Sequence, residues 1–302
     1  MDGRQRRQFP RQVQGPLPKA GCGRQRSLGG EDQQRHRGPR PDIPATIDRR
    51  ERDTVYADPP VAGPIVLLNH GVAATAPADD HSSLFVTDDQ LDAQLQHLTR
   101  RGRRPIDLSV YLSGAAPSRS FLMTFDDGYL SVLEHAAPRL RDAGVPAVVF
   151  VPAGMIGSTT DVPERILDER ELRTLIDDYG FEVGAHGFDH RPLVGLDDDE
   201  LRRQIAGARE RLHDVLGKAP RAFAYPHGAV DARARSAVRD AGYQAGFATH
   251  EDAGAYARSR VAVYRRDSTT MFRLKVRLAG PNLRTVRRWG GRARRRPSRS
   301  PS

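Results

Sequence analysis

Phe121-Leu-Met-Thr-Phe-Asp-Asp-Gly128 is an apolar run cut off by two carboxylates and a glycine. A run of this length that ends in a turn residue reads as a buried strand. Side chains alternate along a strand, so Asp126 and Asp127 would face opposite ways if it continued. Gly128 lets the chain turn there, and both carboxylates can then face one pocket at the strand's C-terminal end. Two carboxylates ending a core strand are costly to desolvate, which calls for something cationic beside them. The competing reading is that both cap the next helix, since acidic groups suit a helix N-terminus.

The same punctuation recurs on either side of this stretch. Upstream, residues 64–71 (Pro-Ile-Val-Leu-Leu-Asn-His-Gly) read as a strand ending in His70 and Gly71. Thr87-Asp-Asp-Gln90 is a capping-box pattern. It opens a helix with Leu91, Leu95 and Leu98 on its buried face and Gly102 as a stop. Downstream, Leu130, Leu133, Ala137 and Leu140 mark a helix ending near Gly144, in which Pro138 implies a kink or a shorter helix than the pattern suggests. Strands follow at 146–151, 181–184, 222–225, 244–249 and 261–264. They are separated by helices at 172–179, 197–216 and 231–241, and a last helix covers 268–279. Strand–helix alternation implies a parallel sheet with right-handed crossovers. Polar and glycine-bearing motifs follow the strands, where barrels of this class place their active sites.

Charge is distributed unevenly over the 302 residues, whose net charge is +10. Residues 1–60 carry 13 Lys/Arg against 8 Asp/Glu, and 282–302 carry 8 Arg and no acid. The body, 61–281, is left at about −3, so the folded part is not itself a basic nucleic-acid binder. Residues 1–60, rich in Arg, Gln, Pro and Gly without period, read as a disordered extension. The basic tail 282–302, with Trp289, reads as a solvated end capable of weak contact with anionic surfaces. Cys22 is the one cysteine, which excludes an internal disulfide and a cysteine-based metal site. No stretch approaches a transmembrane helix and no signal-like apolar segment opens the chain, so the expected location is cytoplasmic or membrane-peripheral.

The second informative stretch is Gly184-Ala-His186-Gly-Phe-Asp-His190. Histidines four apart share one face of a helical turn, and both imidazoles can reach one ion. The pair directly follows a strand, as Asp126-Asp127 does. One carboxylate and two imidazoles make three protein ligands with a position left open, as in catalytic zinc sites, and the second carboxylate is free to act as a base.

Thr124-Phe-Asp-Asp-Gly128 followed by His186-x3-His190 resembles the polysaccharide deacetylase family, the NodB homology domain of carbohydrate esterase family 4. The aromatic, Pro and Gly cluster of that family is matched by Phe223-Ala-Tyr-Pro-His-Gly228, and the resemblance covers roughly residues 64–275. It implies an irregular (β/α)7 barrel, here 61–281, between the two tails. It also implies hydrolysis of acetamide groups on N-acetylated polysaccharide or oligosaccharide, releasing acetate, with no specific nucleic-acid partner. Carried over, Asp126 is the general base and Asp127, His186 and His190 hold a divalent metal, Zn²⁺ first with Co²⁺ or Ni²⁺ as alternatives. Tyr225, Pro226 and His227 line the substrate and oxyanion site. The chain departs from the family pattern in four respects. Gly187 replaces a Ser or Thr, Ala224 stands where many members carry an Arg that orients the base, His227 occupies a position more often Tyr, and the late Leu-x-x-His that supplies the general acid is not recognisable. His227 and His250 are the histidines nearest the motif order, and His70, ending the first strand at the same barrel face, reads as structural, with contact to substrate as the alternative. The alternative is an inactive relative that binds carbohydrate or polyanions.

Overall fold

The structure is a computed structural model that describes residues 63–75, 77, 80–159, 164–250 and 252–279. All of these lie in the unit Tyr56–Ser302. The expectations for 1–60, Cys22 and 282–302 fall outside the described residues.

Ten strands are described: β1 Ile65–Asn69, β2 Gly71–Ala73, β3 Phe85–Thr87, β4 Arg104–Pro105, β5 Ser120–Phe125, β6 Ala147–Val151, β7 Glu182–Ala185, β8 Ala222–Ala224, β9 Ala245–Phe247 and β10 Val261–Ala262. Seven form one parallel path, β10-β1-β5-β6-β7-β8-β9, with β4 added beside β5, while β2 and β3 pair separately. The sheet curls as an irregular (β/α) barrel, matching the expected fold class. Its edge strands are linked through one extended segment. Arg258 bridges β9 at Phe247, and Val261 three residues on pairs with Leu67 of β1. This seam becomes important at the site.

Alternation along the strands divides the core in two. Val66, Leu122, Val148, Phe150, Ala222, Ala224, Ala245 and Phe247 form the inner floor, closed at its base by Ile106 and Leu108. Their neighbours Ile65, Leu67, Phe121, Met123, Phe125, Val149 and Val151 face the helices in the larger cluster. The period of two therefore carries Leu122, Thr124 and Asp126 along the inner face, and Asp126 arrives inside the barrel mouth.

Eight helices are described: α1 Asp88–Arg100, α2 Leu108–Leu112, α3 Ala137–Asp142, α4 Glu169–Tyr179, α5 Asp198–Arg202, α6 Ala208–Leu216, α7 Ala232–Asp240 and α8 Thr269–Leu278. The expected capping box of α1 is formed: Gln90 N–H donates to Thr87 Oγ1 at 3.2 Å, and Thr87 N–H donates to Gln90 Oε1 at 3.0 Å. Asp168 caps α4 in the same way, and left-handed Gly180 and Gly217 end α4 and α6. At Pro138 the shorter helix is formed: a π-turn over Val132–Ala136 precedes α3, which places Pro138 in the first turn, where its missing N–H is not needed. One expectation is corrected: the single helix expected over 197–216 is interrupted by a second π-turn, Arg203–Gly207. The insertion turns Gln204 inward, and it is fully buried. No helix among the described residues is long and apolar enough to cross a membrane.

Candidate metal centre and catalytic carboxylate

The two carboxylates do face one pocket, but the turn begins one residue earlier than the glycine. Asp127 itself is left-handed, with φ 68°, and Gly128 follows at φ 67°. Four non-glycine residues among those described adopt positive φ, and Asp127, His190 and His227 are three of them. Such backbone is strained for an L-residue and persists only where its surroundings impose it. All three sit at the C-terminal ends of strands on one edge of the sheet.

Asp127 Oδ1 lies 3.3 Å from His186 Nε2 and 3.1 Å from His190 Nε2. One ligand atom from each of the three residues falls within 4.8 Å of the others. The histidines meet through a loop, not the helical turn that their spacing implied. Gly187 at φ 78° and His190 at φ 61° fold residues 186–190 back on themselves. His186 Nδ1–H donates to the Ala224 carbonyl at 2.9 Å, which commits that nitrogen and leaves Nε2 as the ring atom facing Asp127. Burial alone would raise the Asp127 carboxyl pKa, but the imidazoles of His186 and His190 facing it hold it well below the usual range. Burial would lower His186, and the charge of Asp126 and its bond to Asp127 raise it instead. Asp127 Oδ1 is buried with no assigned hydrogen-bond partner. An anionic oxygen facing two imidazole nitrogens, with the other nitrogen of one ring already committed, is a donor set that fits a divalent cation.

Asp126 has a different partner. Arg260 grips it in a bidentate pair, Nη1 to Oδ1 at 2.7 Å and Nη2 to Oδ2 at 2.6 Å. The Arg260 side chain is fully buried. It also donates to Thr124 Oγ1 at 3.2 Å and to the Ala248 carbonyl at 3.2 Å, and its guanidinium lies 5.6 Å from the Phe150 ring centre. Desolvation would raise Asp126, and the guanidinium overrides it and holds the carboxyl below its ordinary value. The absence of an orienting arginine at Ala224 therefore does not leave this carboxylate unpartnered. The arginine enters from the barrel seam, 134 residues along the chain.

His190 is held by its loop's contacts with two other segments. Ala153 N–H donates to the Gly187 carbonyl at 3.0 Å and Gly154 N–H to that of Phe188 at 2.7 Å. Gln204 Oε1 accepts from Phe188 N–H at 3.0 Å and Asp189 N–H at 3.2 Å, while its amide donates to Asp189 Oδ1 and to Glu200 Oε1. Arg203 adds an ion pair to Asp189.

The remaining expected residues separate. His227, φ 57°, brings its ring centre 4.6 Å from that of His190, and buried Pro226 approaches the Cβ direction of Gly187. Tyr225 is fully buried, its hydroxyl donating to the Tyr256 carbonyl at 2.7 Å, so it braces the turn from the core and does not line the pocket. His250 is not among the leading charges acting on either aspartate. His70, read as structural, is instead surrounded by the site. Burial lowers its pKa, the charges of Asp127 and Asp126 oppose that, and its Nδ1 is buried without a hydrogen-bond partner.

A parallel barrel that brings together an Asp/His/His cluster and a second, separately paired carboxylate has the donor set that hydrolases with a metal site and a carboxylate base use. The polysaccharide deacetylase family model matches residues 113–246 of the chain. A Bacillus subtilis protein carrying the name polysaccharide deacetylase is 26% identical over 230 residues, 72% of this chain and 78% of that one. The poly-beta-1,6-N-acetyl-D-glucosamine N-deacetylase of Staphylococcus epidermidis is 25% identical over 62% of this chain and 68% of its own length. In fold, a Streptococcus pyogenes deacetylase solved with acetate superposes with a TM-score of 0.62 at 19% identity, over 71% of this chain and 98% of that one.

Proposed function

We propose that residues 61–281 form a deacetylase that hydrolyses acetamide groups on N-acetylated sugars of a polysaccharide or oligosaccharide, giving acetate and a free amine. The observation that carries this reading is the opposite treatment of adjacent carboxylates. Asp126 is held by Arg260 at 2.6–2.7 Å, and Asp127 is turned to two imidazoles at 3.1–3.3 Å. Asp127, His186 and His190 are the residues that would hold a divalent cation, with Zn²⁺ the best match to two imidazoles and a carboxylate and Co²⁺ or Ni²⁺ as alternatives. When bound, it supplies Lewis acidity, polarising an acyl oxygen and making water more acidic.

The other roles belong to the chain's own residues. Asp126, kept ionised by Arg260, accepts the proton of the attacking water. The backbone N–H of His227, in its left-handed turn, is offered to the developing oxyanion. His70 is our candidate for the acid that protonates the departing amine, because this half-buried ring lies within reach of the charges of both aspartates and its buried Nδ1 is uncommitted. The binding-only alternative rested on a missing base-orienting arginine and a missing acid, and the Arg260 pair and the position of His70 weaken both grounds.

The test is acetate release from N-acetylglucosamine oligomers and polymers after metal loading. His70→Gln is expected to lower kcat while leaving Zn²⁺ affinity in place. Zn²⁺ bound at the expected stoichiometry, without acetate release from any acetylated glycan, would favour the binding-only reading.

A further inference from the structure

The two imidazoles of the cluster are anchored unequally. His186 follows β7 directly, is buried, and commits Nδ1 to the Ala224 carbonyl. His190 is partly exposed, and its ring contacts are with other histidines: 4.9 Å from His186 and 4.6 Å from His227, centre to centre. Its place is therefore set through residues 187–189, and Phe188 is the one large apolar side chain among them.

Phe188 is half-buried against the main core, and its ring enters a slot built by two other segments. On one side is Gly154, in the short turn that follows β6. A Cβ there would lie 2.4 Å from Phe188 Cε1, 2.5 Å from Cδ1 and 2.9 Å from the Phe188 carbonyl oxygen, closer than side chains approach, so only glycine leaves room for the ring. Gly154 is not among the glycines with positive φ, so the requirement is for space and not for backbone freedom. On the other side is the π-turn Arg203–Gly207. The Arg203 guanidinium lies 4.9 Å from the ring centre, and a Cβ at Gly207 would lie 3.8 Å from Phe188 Cδ2, at ordinary contact distance. Gln204, in the same turn, accepts from the Phe188 and Asp189 N–H groups. Three residues of the π-turn thus address one loop, and π-turns inside helices are frequent at functional sites.

We propose that Phe188 is a positioning residue for the metal cluster: its ring, keyed between Gly154 and the π-turn, sets where His190 stands relative to His186 and Asp127. The inference rests on the reading of those three residues as metal ligands and not on which bond is hydrolysed. A loop already held in the binding geometry spares the ion the cost of ordering it, and affinity rises accordingly.

The experiment uses the full chain and reads Zn²⁺ affinity by chelator competition, with the visible absorption of the Co²⁺-loaded protein as a report on ligand geometry. Phe188→Ala empties the slot, and its Zn²⁺ affinity is expected to fall by about 10- to 100-fold with a changed Co²⁺ spectrum. Leu216→Ala removes another partly buried core contact, at the far end of α6, and should lower the melting temperature without moving either readout. Gly154→Ala should lose affinity in the parent but much less in the Phe188→Ala background, where the ring it displaces is gone. If Phe188→Ala does not fold, Phe188→Leu, which keeps much of the volume but not the flat ring, is read in the same way. The inference is overturned if the Phe188 variant binds Zn²⁺ as the parent does with an unchanged Co²⁺ spectrum, or if Leu216→Ala loses as much affinity. It is equally overturned if Gly154→Ala costs the same in both backgrounds. A parent that binds neither ion overturns the metal reading itself, and this inference with it.

Discussion

Asp126 and Asp127 are the same residue type, adjacent in sequence and both buried, yet the fold treats them as opposites. Asp126 continues the inward face of β5, has ordinary backbone, and meets a guanidinium that contacts both of its oxygens. Asp127 leaves the strand in a left-handed conformation and points one oxygen at two imidazole nitrogens, with no strong cation of the chain beside it. The first arrangement is closed: a fully desolvated carboxylate with its countercharge in place. The second is open: a carboxylate facing two imidazoles, suited to a divalent cation, with no Arg or Lys paired to it among the described residues. A division of labour between base and ligand can follow from environment alone, without any difference in side-chain chemistry. The strain at Asp127, and at His190 and His227 around it, is concentrated on the open half.

Exchanging one carboxylate at a time is the largest test of that contrast. Asp126→Asn is expected to lower kcat by roughly 10²- to 10⁴-fold, the usual range for a lost general base, with Zn²⁺ affinity nearly unchanged. Asp127→Asn should do the reverse in binding, abolishing tight Zn²⁺ uptake in a chelator competition. Equal loss of metal by both variants would show that the two carboxylates act as one site.

Arg260→Met comes next, because it opens the closed half. Leaving a buried carboxylate without its partner costs about 3–5 kcal/mol, read as a lower melting temperature at neutral pH. The sign of the pH effect follows from the pair. In the native fold the Asp126 pKa is depressed, so the stabilisation is present above the ordinary carboxylate value and is lost as pH falls through the lower, folded one. Without Arg260, desolvation is no longer overridden, the carboxyl pKa rises, and the acid limb of kcat/KM should move to higher pH. An unmoved acid limb would remove Asp126 from the role of base.

How far the sequence reveals this site depends on how local each interaction is. The strand ends, the capping boxes at Thr87 and Asp168 and the left-handed stops at Gly180 and Gly217 are settled within a few residues, and all are legible. The demand for a cation at Asp126-Asp127 is also legible, from the cost of burying charge, but its source is not. Arg260 lies in an unremarkable loop and reaches Asp126 only because the seam of the barrel brings it there. The histidine spacing suggested a helical turn, since four residues make one, whereas Gly187 and left-handed His190 reach the same convergence by a loop. Tyr225 belongs to a motif near the substrate site, yet strand alternation and the Tyr256 carbonyl draw it into the core. Gln204 gave no signal, because a π-turn shifts the helix's buried face by one residue and periodicity cannot anticipate that.

Gln204 offers a smaller test on the open half. It touches neither Asp127 nor the imidazoles in the hydrogen-bond pattern, but its side chain holds the backbone of Phe188 and Asp189, immediately before His190. Gln204→Leu keeps the volume and removes those bonds. Zn²⁺ affinity is expected to fall by about 10- to 100-fold, the range seen when the groups behind metal ligands are removed, with Asp126 and its pH profile unaffected.

The smallest effect separates backbone strain from packing. Gly187 has φ 78°, and an added Cβ would lie 3.1 Å from Pro226 Cγ and 3.4 Å from Gln204 Oε1. Gly180, at the end of α4, has a similar φ of 68° with nothing within 4 Å of such a Cβ. Alanine at either site carries the left-handed penalty of about 1–2 kcal/mol, a fall of roughly 2–8 °C in Tm for a domain of this size. Only Gly187→Ala must also push Pro226 or Gln204 aside, and those two neighbours brace the loop that presents His190. The pair of variants should therefore melt at comparable temperatures, with Gly187→Ala slightly lower, but differ in Zn²⁺ affinity, which Gly180→Ala leaves unchanged. If both variants bind Zn²⁺ as the parent does, the loop tolerates movement and the strain at His190 does not set the metal geometry. If Gly187→Ala alone loses affinity, the narrow space between Pro226 and Gln204 is part of what holds the open half in place.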